Sequence, residues 1–268
     1  MKKIPALLSS LALVALLPWV AALSAAPAAM PALSTPVPAA HVDASAPLAK
    51  KDKGAFLKLH ESFLARGKAG PIGLLFLGDS ITYWWIKAPH IWQAYYDKYQ
   101  PANFGIGGDT TQNVIWRIEN GELDGIHPRI VVLMIGTNNS GSYTAAEIFA
   151  ADKKIVELIR AKIPETKVLL LAIFPRGSRK RPDGTIDDGD RRNEVNRAVN
   201  VELAKLDDGQ NVRYLDIGAH FLGTGWQNSF HDHARPTPSQ RGWLPTLGRC
   251  DEAAAGRDDE VSAKRLDA

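Results

Sequence analysis

The chain has 268 residues, of which 45% are hydrophobic and 23% charged. That is globular composition, and it excludes a chain disordered throughout, a collagen-like repeat and a multi-span membrane protein. Thirty-two Lys+Arg against 29 Asp+Glu leave a formal +3, and two of those lysines, Lys2 and Lys3, stand at the extreme N-terminus. Such a balance makes no electrostatic case for nucleic acid. The single cysteine, Cys250, excludes an intrachain disulfide framework and a multi-cysteine metal site. Oxygen and nitrogen side chains must carry the chemistry, and no cofactor is expected.

Residues 1–24 read as a secretory signal. Lys2 and Lys3 precede an apolar stretch from about Ala6 to Leu23, and Ala22 and Ser24 suit cleavage, with Ala26 and Ala28 as a second option. An uncleaved anchor is the alternative; Pro18 and the Ala-rich end argue against it. No cysteine follows, which excludes lipid attachment there. The expectation is export to a periplasmic or extracellular space, with membrane contact limited to the signal segment. Residues 25–47 are Ala/Pro/Ser-rich and read as a linker. Residues 48–245 form one domain, without internal repeats, and 246–268 an atypical tail.

Within the domain, apolar runs alternate with helical patterns. Leu74–Leu77 reads as a buried strand stopping at Gly78, followed by a helix near 90–99. A short strand, Ala102–Phe104, precedes Gly105 and a helix near 110–120. Ile130–Ile135 stops at Gly136 before a helix at 144–162. Val168–Ile173 stops at Pro175 before a helix at 189–206, and Val212–Ile217 closes the series. Continuous rather than alternating apolarity means burial on both faces, as in a parallel sheet covered by helices. The pattern predicts an α/β fold, a three-layer α/β/α sandwich around a central parallel five-stranded sheet. Working residues in such folds sit at the carboxyl ends of strands.

Three strand ends carry candidates. Ser80, in Gly78-Asp79-Ser80, lies between a buried strand and a helix, where a hydroxyl faces the partly positive helix start; it is either a nucleophile or a helix cap. Gly105, Gly107 and Gly108 permit unusual backbone angles and close approach to a ligand, or simply a tight turn. Their spacing does not fit the dinucleotide fingerprint. Asn138, in Gly136-Thr137-Asn138-Asn139, can aim an amide at the same point or form a turn. Together they supply a hydroxyl and a set of donors, the arrangement acyl transfer requires. Tyr83-Trp84-Trp85 reads as core, or as the lining of an acyl or sugar pocket. The charge-rich stretch Arg176–Arg192 reads as a solvated loop rimming the site, with Arg176 or Arg179 placed to meet an anionic group.

Gly78-Asp79-Ser80, Gly107-Gly108 and Gly136-Thr137-Asn138-Asn139 resemble the first three blocks of the GDSL, or SGNH, hydrolase superfamily. NFGIGGDTTQNVIWRIENGELDGIHPRIVVLMIGTNN (103–139) is similar to the catalytic alpha subunits of intracellular platelet-activating-factor acetylhydrolase and their bacterial relatives. Phe174-Pro175-Arg176-Gly177 and Asn193-Glu194-Val195-Asn196 extend the likeness, which covers roughly 50–220. The resemblance implies a flavodoxin-like fold, Ser80 as nucleophile, and an oxyanion hole from the Ser80 N–H, the Gly108 N–H and the Asn138 side chain. It implies a small acyl-ester substrate and is compatible with a homodimer.

The family draws its base and carboxylate from Asp-x-x-His near the C-terminus. Here Asp232 matches the aspartate, but Arg235 stands at the histidine position, and arginine cannot accept the serine's proton. His231 and His233 flank the aspartate and are the substitutes, or exposed loop histidines; His233 is the candidate base. A His-x-His metal site lacks further ligands in sequence. After Gly242-Trp243 the expected closing amphipathic helix is missing, and a reading-frame slip beginning near Ser239 is the hypothesis. Resequencing the coding DNA tests it, and an uninterrupted frame through Ala268 removes it. Two rivals stand beside the esterase: a protein of this fold that binds without turnover, and a nucleotide-binding flavodoxin-like protein.

Overall fold

The apolar runs form one parallel sheet in the computed structural model, which describes residues 42–52 and 54–222. Its strands are β1 (Leu74–Gly78), β2 (Pro101–Gly105), β3 (Ile130–Met134), β4 (Lys167–Leu171) and, after two short strands described below, β7 (Val212–Leu215). The sheet order is β2-β1-β3-β4-β7. Counting only these five, that is the 2-1-3-4-5 order of flavodoxin-like folds, whose switch point lies between the first and third strands. The register runs level across the sheet: Ala102, Leu75, Val131, Val168 and Val212 form one row.

Every residue of β1 is buried, as an unbroken apolar run demands. Successive side chains serve opposite faces. Leu75 and Leu77 pack with helices α1 (Ala55–Lys68), α4 (Thr111–Glu119), α5 (Ala145–Lys162) and α6 (Gly189–Leu203). Leu74 and Phe76 pack instead with α2 (Ser80–Tyr83), the following 3-10 turn Trp84–Lys87 and α3 (Pro89–Tyr96). Sheet and two helix layers make the predicted sandwich. Trp85 lies in that second layer, against Phe76, Trp92 and Tyr96, so it belongs to the core; Tyr83 and Trp84 are half-buried.

Four features differ from the sequence expectation. Helix α1 was not expected; Phe56, His60 and Phe63 form its buried stripe, with a histidine where an apolar residue would advertise it. β4 and β7 stop two residues short of Ile173 and Ile217. Side-chain amides of α6 take over the backbone beyond β4: Asn200 pairs both Ile173 N–H and Ile173 O, and Asn193 pairs both Arg176 N–H and Arg176 O. Residues 42–47, read as linker, are docked on the domain. Ala44 is fully buried, its carbonyl accepts from Thr111 Oγ1 (2.8 Å), and Val42 O accepts from Tyr143 OH (2.8 Å). The segment read as a solvated loop contains a hairpin, β5 (Arg179–Lys180) with β6 (Ile186–Asp187), anchored by a buried Asp187. No helix among the described residues is long and apolar enough to cross a membrane, and the signal segment lies outside them.

Candidate active site

The register sets Gly78, Gly105 and Met134 side by side at the carboxyl ends of β1, β2 and β3. The three predicted loops therefore leave the sheet next to one another, at the switch point.

Asp79, not Ser80, caps α2: its Oδ1 accepts from Ile81 N–H at 2.9 Å. Ser80 is the first helical residue and stays partly exposed while Ile81 and Thr82 are buried. Gly105 brings β2 hard against this helix, because a Cβ there would stand 2.2 Å from Tyr83 N. Asn103 fixes the approach, donating to Thr82 O (2.9 Å) while accepting from Gly105 N–H (2.9 Å).

The next loop turns on an Asp109 N–H to Ile106 O bond (3.1 Å), with Gly108 at φ +75°, a conformation that favours glycine. Thr110 and Asn113 then start α4 with a reciprocal capping box. The two adjacent asparagines of the third loop divide their labour. Asn139 is fully buried and locks the loop to α4 through Thr111 and Gln112. Asn138 is half-buried and turns its amide toward the other two loops: Nδ2 donates to Asp109 O at 2.8 Å and lies 3.5 Å from Asp79 Oδ2.

Behind the loops lies a buried ion network. Asp109, without exposed surface, is 2.7 Å from Lys50 Nζ through Oδ1 and 3.1 Å from Arg117 Nε through Oδ2. Arg117, also fully buried, pairs with Glu122 and donates to Phe104 O (3.1 Å). Glu122 faces His60 Nδ1 at 3.3 Å. Burial pushes the Asp109 carboxyl up, opposed by Arg117 and Lys50. Asp79 has fewer partners: burial, with the Asp109 charge, raises its carboxyl to about 7. Asp152 on α5, buried without a hydrogen bond, is raised well above the usual range by burial and by Asp79.

A second ionic cluster holds the third loop. Arg176 Nη1 and Arg192 Nη2 both donate to Thr137 O, at 3.1 and 2.8 Å. Asp187 binds Arg176 (3.0 Å), Arg179 (3.2 Å), Arg181 (3.4 Å) and Arg192 (2.6 Å). Burial works against the Asp187 charge, yet the Arg192 hydrogen bond and the surrounding guanidiniums hold its carboxyl down to about 2. Burial, then the neighbouring Arg192, lowers Arg176 to about 10. Arg176 and Arg179, either of which was the candidate to meet an anionic group, are both engaged here with Asp187.

The structure thus places Ser80, Gly108 and Asn138 on three neighbouring loops. Asp232 and His233, with His231 and Arg235, lie outside the described residues. Sequence reasoning missed Lys50, Arg117 and Asp152, which meet the site only through folding, and the Asp109 carboxylate, which follows Gly108 directly. A cavity of about 270 Å³ lies at the opposite end of the sheet, lined by Gly73, Leu74, Lys98 and Ile130 among others, away from these loops. Among the described residues no group of three or more His, Cys, Asp or Glu is placed to hold a metal.

Comparison with known proteins agrees with this fold. Residues 76–242 match the GDSL-like Lipase/Acylhydrolase family. Platelet-activating factor acetylhydrolase IB subunit alpha1 of Bos taurus is 36% identical over 183 residues, covering 67% of this chain and 73% of that protein. The alpha2 subunit of Rattus norvegicus is 35% identical over 177 residues, covering 66% and 73%. Two solved structures share the fold. A GDSL-like lipase from Bacteroides thetaiotaomicron has a TM-score of 0.55 at 17% identity, covering 73% of this chain and 98% of that one. A carbohydrate acetylesterase from Sinorhizobium meliloti has a TM-score of 0.51 at 19% identity, covering 71% and 98%. With the family match spanning more than half its length, and its loops at the switch point, the chain belongs to the GDSL-like lipase/acylhydrolase family.

Proposed function

We propose that the chain is an exported serine esterase that removes small, acetyl-like acyl groups from a lipid or carbohydrate ester. Ser80 Oγ attacks the ester carbonyl, and the Ser80 N–H, Gly108 N–H and Asn138 amide receive the negative charge on its oxygen. The alcohol leaves, and water hydrolyses the acyl-enzyme. Asp232 orients the base, with His233 as the candidate. The observation that carries this reading is the Asn138 amide: one hydrogen of Nδ2 is spent on Asp109 O of the glycine loop, and the other, held only by a 3.5 Å contact to Asp79 Oδ2 beside Ser80, is the one that would turn to the oxyanion. The names of the relatives, an acetylhydrolase and a carbohydrate acetylesterase, support an acetyl-sized acyl group.

Arg235 favours one alternative, a family member that binds its ligand without turnover. Hydrolysis of 4-nitrophenyl acetate by the full chain separates the two. Ser80→Ala is expected to abolish hydrolysis above the buffer rate, and a serine-reactive phosphonate to label Ser80. Equal rates for wild type and Ser80→Ala, with no label, establish the non-catalytic reading instead.

A further inference from the structure

The oxyanion donor at Gly108 depends on a peptide group flanked by two glycines. A Cβ built on Gly107 meets nothing within 4 Å, so the peptide stands in open space, at the centre of the turn that the Asp109 N–H to Ile106 O bond closes. The N–H of Gly108 and the carbonyl of Gly107 belong to the same planar unit and, in a trans peptide, point in opposite directions. Whatever holds the Gly107 oxygen therefore aims the Gly108 hydrogen.

Lys50 holds it. Its Nζ donates to Gly107 O at 2.8 Å across 57 positions of sequence. The same ammonium lies 2.7 Å from Asp109 Oδ1, so it grips the loop on both sides of Gly108. Asp109 is itself anchored by Arg117 Nε at 3.1 Å, and its carbonyl receives the Asn138 amide at 2.8 Å. The ammonium and the Asn138 amide thus meet on one residue, Asp109. Lys50 lies outside the 76–242 family match.

We infer that Lys50 is a positioning residue of the oxyanion hole, fixing the Gly107–Gly108 peptide with its N–H turned away from the ammonium and toward the substrate. The ammonium also polarises that peptide, which strengthens the N–H as a donor. This rests on the serine-esterase reading. A purely structural Lys50 would only balance the buried Asp109 charge, and the two roles predict different measurements.

The test uses the full chain and 4-nitrophenyl acetate, with rates normalised to Ser80 sites titrated to completion by a phosphonate. Lys50→Met is expected to lower kcat roughly ten- to a hundredfold, somewhat less than complete loss of an oxyanion donor, with KM changed by no more than about twofold. Lys50→Arg, which keeps a charged donor, should recover most of the rate. The amide nitrogen resonance of Gly108, sensitive to hydrogen bonding at the preceding carbonyl, should move in Lys50→Met and return in Lys50→Arg. If Lys50→Met does not fold, Lys50→Gln replaces it in both measurements. A normalised kcat within about twofold of wild type in the neutral variant overturns the inference. Should wild type and Ser80→Ala hydrolyse alike, the esterase reading fails by itself. The resonance then decides separately: an unmoved Gly108 signal refutes the orienting role of Lys50, and a moved one supports it.

Discussion

Asp79→Asn isolates the energetic consequence of placing a buried carboxyl beside the proposed nucleophile. Asp79 has no exposed surface, and its rise from 3.8 to about 7 corresponds to ~4 kcal/mol between its two protonation states. Below pH 3.8 the carboxyl is protonated in the folded and unfolded chain alike and contributes nothing. From there up to about pH 7 the unfolded chain releases the proton while the folded one keeps it, so stability falls as pH rises. Above about 7 both forms are ionised and the penalty is constant. Asparagine retains the Oδ1 acceptor for Ile81 N–H. It also sets an NH2 group against the Asn138 amide, a donor–donor contact costing roughly 1 kcal/mol at every pH. The variant should therefore be less stable than wild type by ~1 kcal/mol near pH 3, and more stable by about 3 kcal/mol at pH 8. Urea unfolding of both chains across that range reads the difference: the burial of Asp109 and Asp152 acts on both chains alike, and relief of Asp152 from the Asp79 charge adds to the gain of the variant at high pH. Parallel stability profiles with a constant offset would refute the assignment of a proton-bound Asp79 near neutrality.

Two further outcomes follow from the packing. Arg117→Met leaves Asp109 and Glu122 buried without their shared cation and is expected to cost about 3–5 kcal/mol in urea unfolding; a loss below ~1 kcal/mol contradicts the network as drawn. A chain beginning at Leu48 should unfold more easily than one beginning at Val42, by roughly 2–3 kcal/mol, since it forgoes the burial of Ala44 and the bonds to Val42 O, Ala44 O and Ser45 O. Equal melting temperatures for the two chains would show that the docked segment contributes nothing.

What the sequence made legible was local. Leu74–Leu77 and Ile130–Ile135 announce buried strands because an unbroken apolar run has few other homes, and the glycines that end them mark the loops. Helix α5 could be read almost to the residue, since Thr144 and Glu147 form a capping box that is local in sequence. Helix α1 escaped because His60 interrupts its stripe, and a histidine is tolerated there only where Glu122 and Asn120 O receive it. β4 ended early for a similar reason: Asn193 and Asn200 satisfy its continuation, and nothing in Val168–Ile173 points to an amide on a later helix. The site shows the same division. Ser80, Gly108 and Asn138 stand at strand ends that composition reveals, whereas Lys50 is bound to its loop by a contact no periodicity encodes.

The cations of this site share one geometric habit. Lys50 donates to Gly107 O, Arg117 to Phe104 O with a longer contact to Gly78 O (3.4 Å), and Arg176 and Arg192 both to Thr137 O. Each acceptor lies at or just beyond the carboxyl end of a parallel strand, where the ladder supplies fewer partners, so cations from elsewhere in the chain complete the bonding. Each such carbonyl shares a peptide plane with the next residue's N–H, and the four planes carry the amides of Asp79, Gly105, Gly108 and Asn138. Holding the oxygens from behind fixes the course of the three loops before any ligand arrives: the Gly105 N–H is taken by Asn103 Oδ1, and the Gly108 N–H is the one of the four that the proposed oxyanion hole would use. The energetic counterpart of that hold is visible in the same residues: Arg117, Asp109 and Glu122 are buried charges that an apolar replacement set could match in stability. Their placement behind loops 79–80, 106–110 and 137–139 is therefore better explained by the geometry they impose than by the stability they add.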